Sequence, residues 1–475
     1  MAIEAAFMVP HPPMIVPAVG KGSEKQVQKT IDSYIRVAEE IASIKPDTII
    51  ISSPHSVMYY DYFHISPGKK ASGSFGEFGA PGVSFKEEYD TELVSLIEKN
   101  ADKTDLPAGT KGEKKPGLDH GTMVPLYFIR QKYSDFRIVR IGLSGLDLPT
   151  HYELGMIIKK SVDELGRRCV YVASGDLSHK LQDYGPYGFA KEGPEYDARI
   201  MDTASRAAFG EMLEFDESFC EKAAECGHRS FVMMAGALDG CKVKASVFSH
   251  EDVTGVGYGI CSFYPEKGPD EKAAVSDDRR FLDIFLKKES ERLNSNYEKC
   301  DGYVKVARKT IDRYIKTGRT PKTDELTSLL TDEELSELTG RRAGVFVSIH
   351  EHGSLRGCIG TILPTSSSVM EEIVQNAVSA STNDPRFDPI DRSELPYLEI
   401  NVDVLTSPEP IASPDELDVK RYGVIVSCGS KRGLLLPDLE GVDTVEEQIS
   451  IAMRKGGIRE SDNYRLERFE VIRHK

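Results

Sequence analysis

The chain has 475 residues, 40% of them hydrophobic and 29% charged, with a formal net charge of −16. That length predicts two or three domains, and the acidic balance excludes a protein whose main business is to bind phosphate backbones or anionic lipid, so no nucleic-acid partner is expected. No apolar run approaches the ~20 residues of a membrane span, and the opening M-A-I-E-A-A-F-M-V-P has no basic start; a cytoplasmic protein with no membrane contact is expected. Its eight cysteines form no C-x-x-C pair, which argues against a disulfide framework and a structural zinc module.

From residue 1 to about 265, apolar strands alternate with amphipathic helical stretches, the pattern of an α/β domain with a mostly parallel sheet. Strands are predicted at 3–9, 48–52, 137–141, 169–173, 242–249 and 255–263, the last two adjacent and closing the domain. Helices are predicted at about 26–43, 88–100, 121–133, 151–165, 194–208 and 229–239. The first strand stops at Pro10-His11-Pro12-Pro13. The second, with Ile49, Ile50 and Ile51, stops at S-S-P-H-S with His55. If the helix between them is a crossover, both strands run parallel and both imidazoles emerge on one rim, where ligands bind in open α/β sheets.

Two more histidines occupy turn-like settings: His120 in G-L-D-H-G-T, opening a helix, and His179 in A-S-G-D-L-S-H, after the strand at 169–173. A single such histidine is most simply a surface or cap residue. Four at the rim of one domain point to a shared site. Two neutral imidazoles need an anionic third ligand to make a metal site, and A-A-E-C-G-H-R-S-F offers Glu225 or Cys226, with Glu225 preferred. Two histidines and a carboxylate suit non-haem Fe(II) that activates dioxygen, whereas a thiolate suits zinc or copper. The remaining histidines then have roles as base and hydrogen-bond donor. His64, His151, His228 and His250 carry no predicted chemistry. The loop 74–81, S-F-G-E-F-G-A-P, reads either as a lid over an aromatic substrate or as a loop with buried anchors.

The segment 265–277 loses apolar periodicity and gathers Pro, Gly and charge, as linkers do. Beyond it, 278–475 reads as a second, α+β domain. Two helices (about 279–294 and 302–316) precede strands at 344–350, 356–363, 397–405 and 423–436. Leu355 to Thr361 reads L-R-G-C-I-G-T, in which Cys358 is either a small core residue or a nucleophile, and Arg356, two positions away on an extended strand, is the cation that would lower its pKa. Arg386, in N-D-P-R-F-D-P, is placed near the same surface. Glu446 and Glu447 open a helix as a solvated face.

The set V-P-H-P-P, S-S-P-H-S, L-D-H-G-T-M-V-P-L, S-G-D-L-S-H and E-C-G-x-R-S-F resembles the class III extradiol ring-cleavage dioxygenases with a LigB-type catalytic subunit, over residues 1–264. The resemblance implies that His11, His55 and Glu225 bind Fe(II), that His179 is the acid/base beside O2, and that His120 contacts substrate or oxygen, the substrate being a catechol or related small aromatic. The Memo proteins share this fold but carry a cysteine at the third-ligand position, and Cys226 keeps that alternative open, with a non-catalytic scaffold or regulatory role. L-R-G-C-I-G-T, D-P-R-F-D-P, I-N-V-D-V-L-T-S-P and G-L-L-L-P-D resemble the AMMECR domain, over 278–475. The fusion is similar to the A proteins of AmmeMemoRadiSam systems, which implies radical-SAM and Memo-like partners. A homodimer is also expected, C2 pairs being common at this size. The expected fold class is thus an α/β LigB-like domain followed by a smaller α+β AMMECR domain, with Cys358 a candidate for a separate catalytic role.

Overall fold

A computed structural model describes residues 3–268, 274–439 and 441–475. It divides into two compact units, Met1–Phe285 and Leu286–Lys475. Five residues of the expected linker, 269–273, lie outside the described residues.

The first unit is built on a six-stranded sheet. In chain order its strands are β1 (Ile3–Val9), β2 (Thr48–Ser53), β3 (Arg137–Gly142), β4 (Cys169–Ser174), β5 (Val243–Glu251) and β6 (Tyr258–Pro265). Their order across the sheet is β3-β2-β4-β1-β6-β5. The first four run parallel, and β6 and β5 add an antiparallel edge to β1. β1 and β2 are parallel as expected but not adjacent: β4 lies between them and pairs with both.

Every residue of β2 and β4 is buried, the sign of a sheet covered on both faces. Ala5, Phe7 and Val9 of β1 join one core with Tyr34, Val37 and Ile41 of helix α1 (Gln28–Ile44) and with α3 (His120–Ile129). On the way between them lie a hairpin of strands Lys70–Phe75 and Ala80–Glu88 and the helix α2 (Thr91–Asp102). The isoleucines Ile49, Ile50 and Ile51 are each fully buried, a contribution of roughly 2 kcal/mol apiece. α4 (Leu148–Leu165) packs backbone to backbone on α6 (His228–Gly236), where a Cβ on Gly236 would lie 1.9 Å from the Tyr152 carbonyl oxygen. Between them in sequence runs α5 (Glu192–Ser205).

The second unit is a seven-stranded antiparallel sheet with helices. Its strands are β7 (Val345–Glu351), β8 (Ser354–Gly360), β9 (Leu398–Leu405), β10 (Tyr422–Cys428), β11 (Lys431–Leu435) and β12 (Arg465–His474), ordered β8-β7-β9-β12-β10-β11, with Glu409–Ile411 pairing onto β12. The stretch 423–436, expected as one strand, is a hairpin turning at Gly429, whose φ of 60° suits glycine. The elements not expected include the helix Val369–Thr382, which buries Val369, Ile373, Ala377 and Ala380 at helical spacing, and β12 itself.

Candidate metal centre

The carboxyl ends of β1, β2 and β4 share one rim, and each continues into a polar turn. His11 follows β1 by two residues, His55 follows β2 by two, and Ser174 ends β4. The two imidazoles meet there, with His11 Nε2 3.0 Å from His55 Nε2. His120, first residue of α3, lies beside them at ring-centroid distances of 4.0 Å from His55 and 5.4 Å from His11.

The hydrogen-bond network fixes the tautomer of His11. Ser174 Oγ donates its only proton to the Gly121 carbonyl oxygen at 2.6 Å, so at 3.0 Å it accepts from His11 Nδ1–H. His11 Nε2 therefore carries a lone pair and points it at His55, the arrangement by which ligating histidines are oriented from behind. Burial lowers the pKa of His11, and burial together with the neighbouring imidazoles lowers that of His55 to about 4 and that of His120. All three are neutral at pH 7.

Asp119 and Asp176 organise this rim. Asp119 Oδ1 accepts from Thr122 N, capping α3, and from Ser53 Oγ at the end of β2, while Oδ2 faces the fully buried Arg140 guanidinium at 3.4 Å. Gly121 permits this junction, since a Cβ there would stand 2.4 Å from Ser53 Oγ. Asp176 Oδ1 accepts from His11 N at 2.8 Å. Burial pushes the Asp176 carboxyl up, but the His11 and His179 imidazoles outweigh it and hold the group below its ordinary value.

The structure brings Cys226, rather than the expected Glu225, up to His11 and His55. Glu225 does not join the histidines: its carboxylate accepts from the backbone N–H of His228, the first residue of α6, at 2.5 Å, and burial raises its pKa to about 7. The helix start has free N–H donors and Glu225 meets one. Its neighbour Cys226 points the other way, with Sγ 3.6 Å from His11 Nε2, and Sγ also accepts from Asp176 N at 3.3 Å. Backbone packing imposes that placement, because a Cβ on Gly175 would lie 2.1 Å from Gly227 Cα; the S-G-D and E-C-G turns press together. His11, His55 and Cys226 are thus a three-donor group at the rim.

These separations fit one cation. Two nitrogens bound at about 2.0–2.1 Å stand about 2.9–3.4 Å apart, and a nitrogen and a sulfur bound at about 2.3 Å stand about 3.6 Å apart at a tetrahedral angle. The half-buried Cys226 thiol has its pKa raised well above the ordinary range by loss of solvent, then by Asp176 and Glu225. A bound cation reverses that balance and holds the thiolate.

His179 also reaches the rim, with Nε2 3.8 Å from Asp176 Oδ2 and its ring stacked on the exposed Tyr187 at 5.0 Å. Of the loop at 74–81, Phe75 is a buried anchor, whereas Phe78 sits on His120 at 5.3 Å and lines the site. His64, His151 and His228 bond backbone carbonyls.

In the second unit, β8 is the sheet edge and carries Cys358, paired with Ser348 of β7 at Sγ–Oγ 3.2 Å. Arg356 does not act on this thiol. Ile349 pairs with Gly357 but His350 with Leu355, so Arg356 is the extra residue of a β-bulge that breaks the alternation. It binds Glu394 and the Asp388 carbonyl instead. Arg386 is the cation near Cys358: it donates to the Cys358 carbonyl at 3.2 Å and pairs with Asp384, whose carboxylate accepts from Cys358 N at 2.9 Å.

Comparison with known proteins gives two family matches. Residues 5–261 match the catalytic LigB subunit of aromatic ring-opening dioxygenase, and residues 304–474 match AMMECR1. Protein CA_C1420 of Clostridium acetobutylicum is 39% identical over 482 residues and covers 100% of both chains. A Thermotoga maritima protein is 50% identical over 36% of this chain and 97% of its own length. Among solved structures, the uncharacterized protein PH0010 of Pyrococcus horikoshii aligns at TM-score 0.32 and 30% identity, covering 37% of this chain and 90% of its own. The uncharacterized protein JW3007 of Escherichia coli K12 aligns at 0.36 and 15%, covering 55% and 99%.

Proposed function

The chain belongs to the family of the catalytic LigB subunit of aromatic ring-opening dioxygenases and carries an AMMECR1 domain after it, and on that premise we propose that its first unit is a metal centre held by His11, His55 and Cys226, of the Memo-like rather than the iron-dioxygenase kind. The observation that carries this is the pair of neighbours Glu225 and Cys226: the carboxylate is committed to the start of α6, and the sulfur stands 3.6 Å from His11 Nε2. Two imidazoles and a thiolate favour zinc or copper over Fe(II). Bound there, such an ion supplies a Lewis acid to a small ligand at the rim. His11 is oriented for this by Ser174, and Asp119 ties the end of β2 to α3. The unit then works as a metal-dependent docking or regulatory module. Partnership with a radical-SAM enzyme belongs to this proposal by resemblance, and the eight unpaired cysteines suit a reducing, cytoplasmic setting. No helix among the described residues is long and apolar enough to cross a membrane.

A second reading, a ferrous extradiol-type dioxygenase, draws on His120 and His179 flanking the metal group and on Phe78 and Tyr187 presenting aromatic faces beside them. There His179 holds the proton to be moved and His120 donates to bound substrate.

The test is elemental analysis of anaerobically purified protein, wild type against Cys226→Ser and Glu225→Gln, followed by O2 uptake with a panel of catechols after Fe(II) loading. About one zinc or copper per chain, lost in Cys226→Ser, kept in Glu225→Gln and inactive with catechols, is the expected result. Iron lost only with Glu225, together with catechol-dependent O2 uptake, would replace the first reading by the second.

A further inference from the structure

His179 and Asp176 form a histidine–carboxylate pair unlike the others in the protein. His250 and Asp197 close to 2.7 Å, His352 and Glu289 to 2.5 Å, and His474 bonds Asp301 directly. His179 Nε2 and Asp176 Oδ2 stand 3.8 Å apart, too far for an N–H···O bond and close enough for both to bind one cation at about 2.0–2.2 Å each. Asp176 Oδ1 is occupied by His11 N, which turns Oδ2 toward His179. Cys226 Sγ lies within 4.8 Å of both donor atoms, so Asp176, His179 and Cys226 make a second three-donor group that shares its sulfur with the first.

The loop bearing these groups is fixed from behind. Ser178 N donates to Asp197 Oδ1, which belongs to the closed pair with His250; Ser178 Oγ donates to the Ala223 carbonyl, and His179 N to the same oxygen. On its front face the His179 ring lies against Tyr187. The second group is therefore held in place by the fold, as the first is by Ser174 and Asp119.

We propose that Cys226 is a bridging thiolate and that Asp176 and His179 hold a second, zinc-like divalent cation beside the one at His11 and His55. This rests on the reading of Cys226 as a ligand of the first ion. Cys226 is common to both three-donor groups, so one sulfur lies within reach of the two histidines on one side and of Asp176 and His179 on the other. Histidine, cysteine and carboxylate together are a zinc donor set, and thiolate sulfur has lone pairs for two metals.

The test is an anaerobic titration of the metal-free full chain with Co(II) alone, followed by the thiolate-to-cobalt absorption and by electron paramagnetic resonance. Saturation is expected at two equivalents per chain, with the resonance signal per cobalt falling as the second ion enters and couples through sulfur. His179→Gln is expected to stop at one equivalent with its sulfur absorption intact. A wild-type endpoint at one equivalent overturns the second ion and leaves the first site standing, as does a His179→Gln endpoint still at two. An endpoint unchanged in His11→Ala overturns both. Should His179→Gln not fold, the wild-type endpoint and its coupling decide alone.

Discussion

Cys226 and Cys358 both lie in short glycine-bearing motifs beside a loop that carries an aspartate, and the surroundings of the two sulfurs differ in where the polar groups point. At the rim of the first sheet, backbone and side-chain partners hold the histidines from behind, and their Nε2 atoms and the Cys226 sulfur face one another. At the edge of the second sheet, the N-D-P-R loop folds back on the strand: Asp384 takes Cys358 N, Arg386 takes the Cys358 carbonyl, and the two pair with each other. That loop covers an exposed strand edge as a neighbouring strand would, which blocks pairing with another chain. The motif glycines there serve packing, since a Cβ on Gly357 would lie 2.2 Å from the Ala380 carbonyl oxygen and one on Gly360 would lie 2.2 Å from the Phe346 ring. One motif turns its sulfur toward the histidines at the sheet rim and the other is tied into its own fold.

The largest effect that would break this contrast concerns the metal. His11→Ala or His55→Ala should each weaken zinc binding by at least about 100-fold, measured by competition with a chromophoric chelator, because a three-donor site loses a ligand, whereas loss of supporting residues costs about 10–100-fold. Cys358→Ala should leave the same affinity unchanged. Equal losses at both cysteines would mean that the two motifs serve one site.

The second unit should respond in stability instead. Asp384→Ala strands Cys358 N and Arg386 together and is expected to cost about 1–3 kcal/mol in denaturant unfolding of that unit. The same carboxylate gives a pH signature. Its pairing with Arg386 holds its pKa well below the ordinary carboxylate value, against a smaller opposing push from burial. The stability it supplies is therefore complete above the unfolded carboxylate range and is lost as pH falls through that range toward the depressed value. Asp384→Asn should flatten this acid limb; an unaltered limb would show that other carboxylates set it.

A smaller effect separates Cys226 from Glu225 without any substitution. Burial lowers the pKa of His11 and brings that of His55 to about 4, so the imidazoles add little proton release on binding zinc above pH 7, while a thiol with a raised pKa must release one. Zinc affinity is expected to rise about tenfold per pH unit between about 7.5 and 8.5 if sulfur is the ligand. A carboxylate ligand with a pKa of about 7 would give a nearly flat line over that interval.

These contrasts also mark what could be read from the sequence. His11 and His55 were legible because an apolar strand ending in a proline–histidine turn places its histidine at a sheet rim whatever the neighbouring strand is. The choice between Glu225 and Cys226 was not, since adjacent residues diverge and the loop's own packing at Gly175 and Gly227 decides which one faces the rim. A signal existed: a glutamate three residues before the first N–H of a helix is placed to bond it, and Glu225 stands so to His228. Asp119 and Asp176 were present in the quoted motifs but passed over, because acting through another residue leaves no mark of its own. Arg356 misled because period-two alternation holds only in an unbulged strand, and the bulge at Arg356 depends on pairing with His350 and Ile349. Val369–Thr382 had readable helical spacing, whereas β12 is rich in charge and buries only Leu466 and Phe469.

The smallest expected effect tests whether Cys358 is as inert as its surroundings imply. Its sulfur meets a neutral hydroxyl, Ser348 Oγ, at 3.2 Å, and the Arg386 guanidinium close to it is already shared between Asp384 and the Cys358 carbonyl. A nucleophilic cysteine needs a cation or base whose charge is free to hold its thiolate; the foremost partner of Arg386 is Asp384, ahead of Cys358. A thiol-reactive probe should therefore label Cys358 no faster than a model thiol at pH 7, and Cys358→Ser should change unfolding by less than about 1 kcal/mol, the net worth of one hydrogen bond. Labelling tenfold faster than the model would mean that Arg386 favours sulfur over Asp384 in solution. Asp384→Asn should then accelerate it further, by removing the carboxylate that competes for the guanidinium.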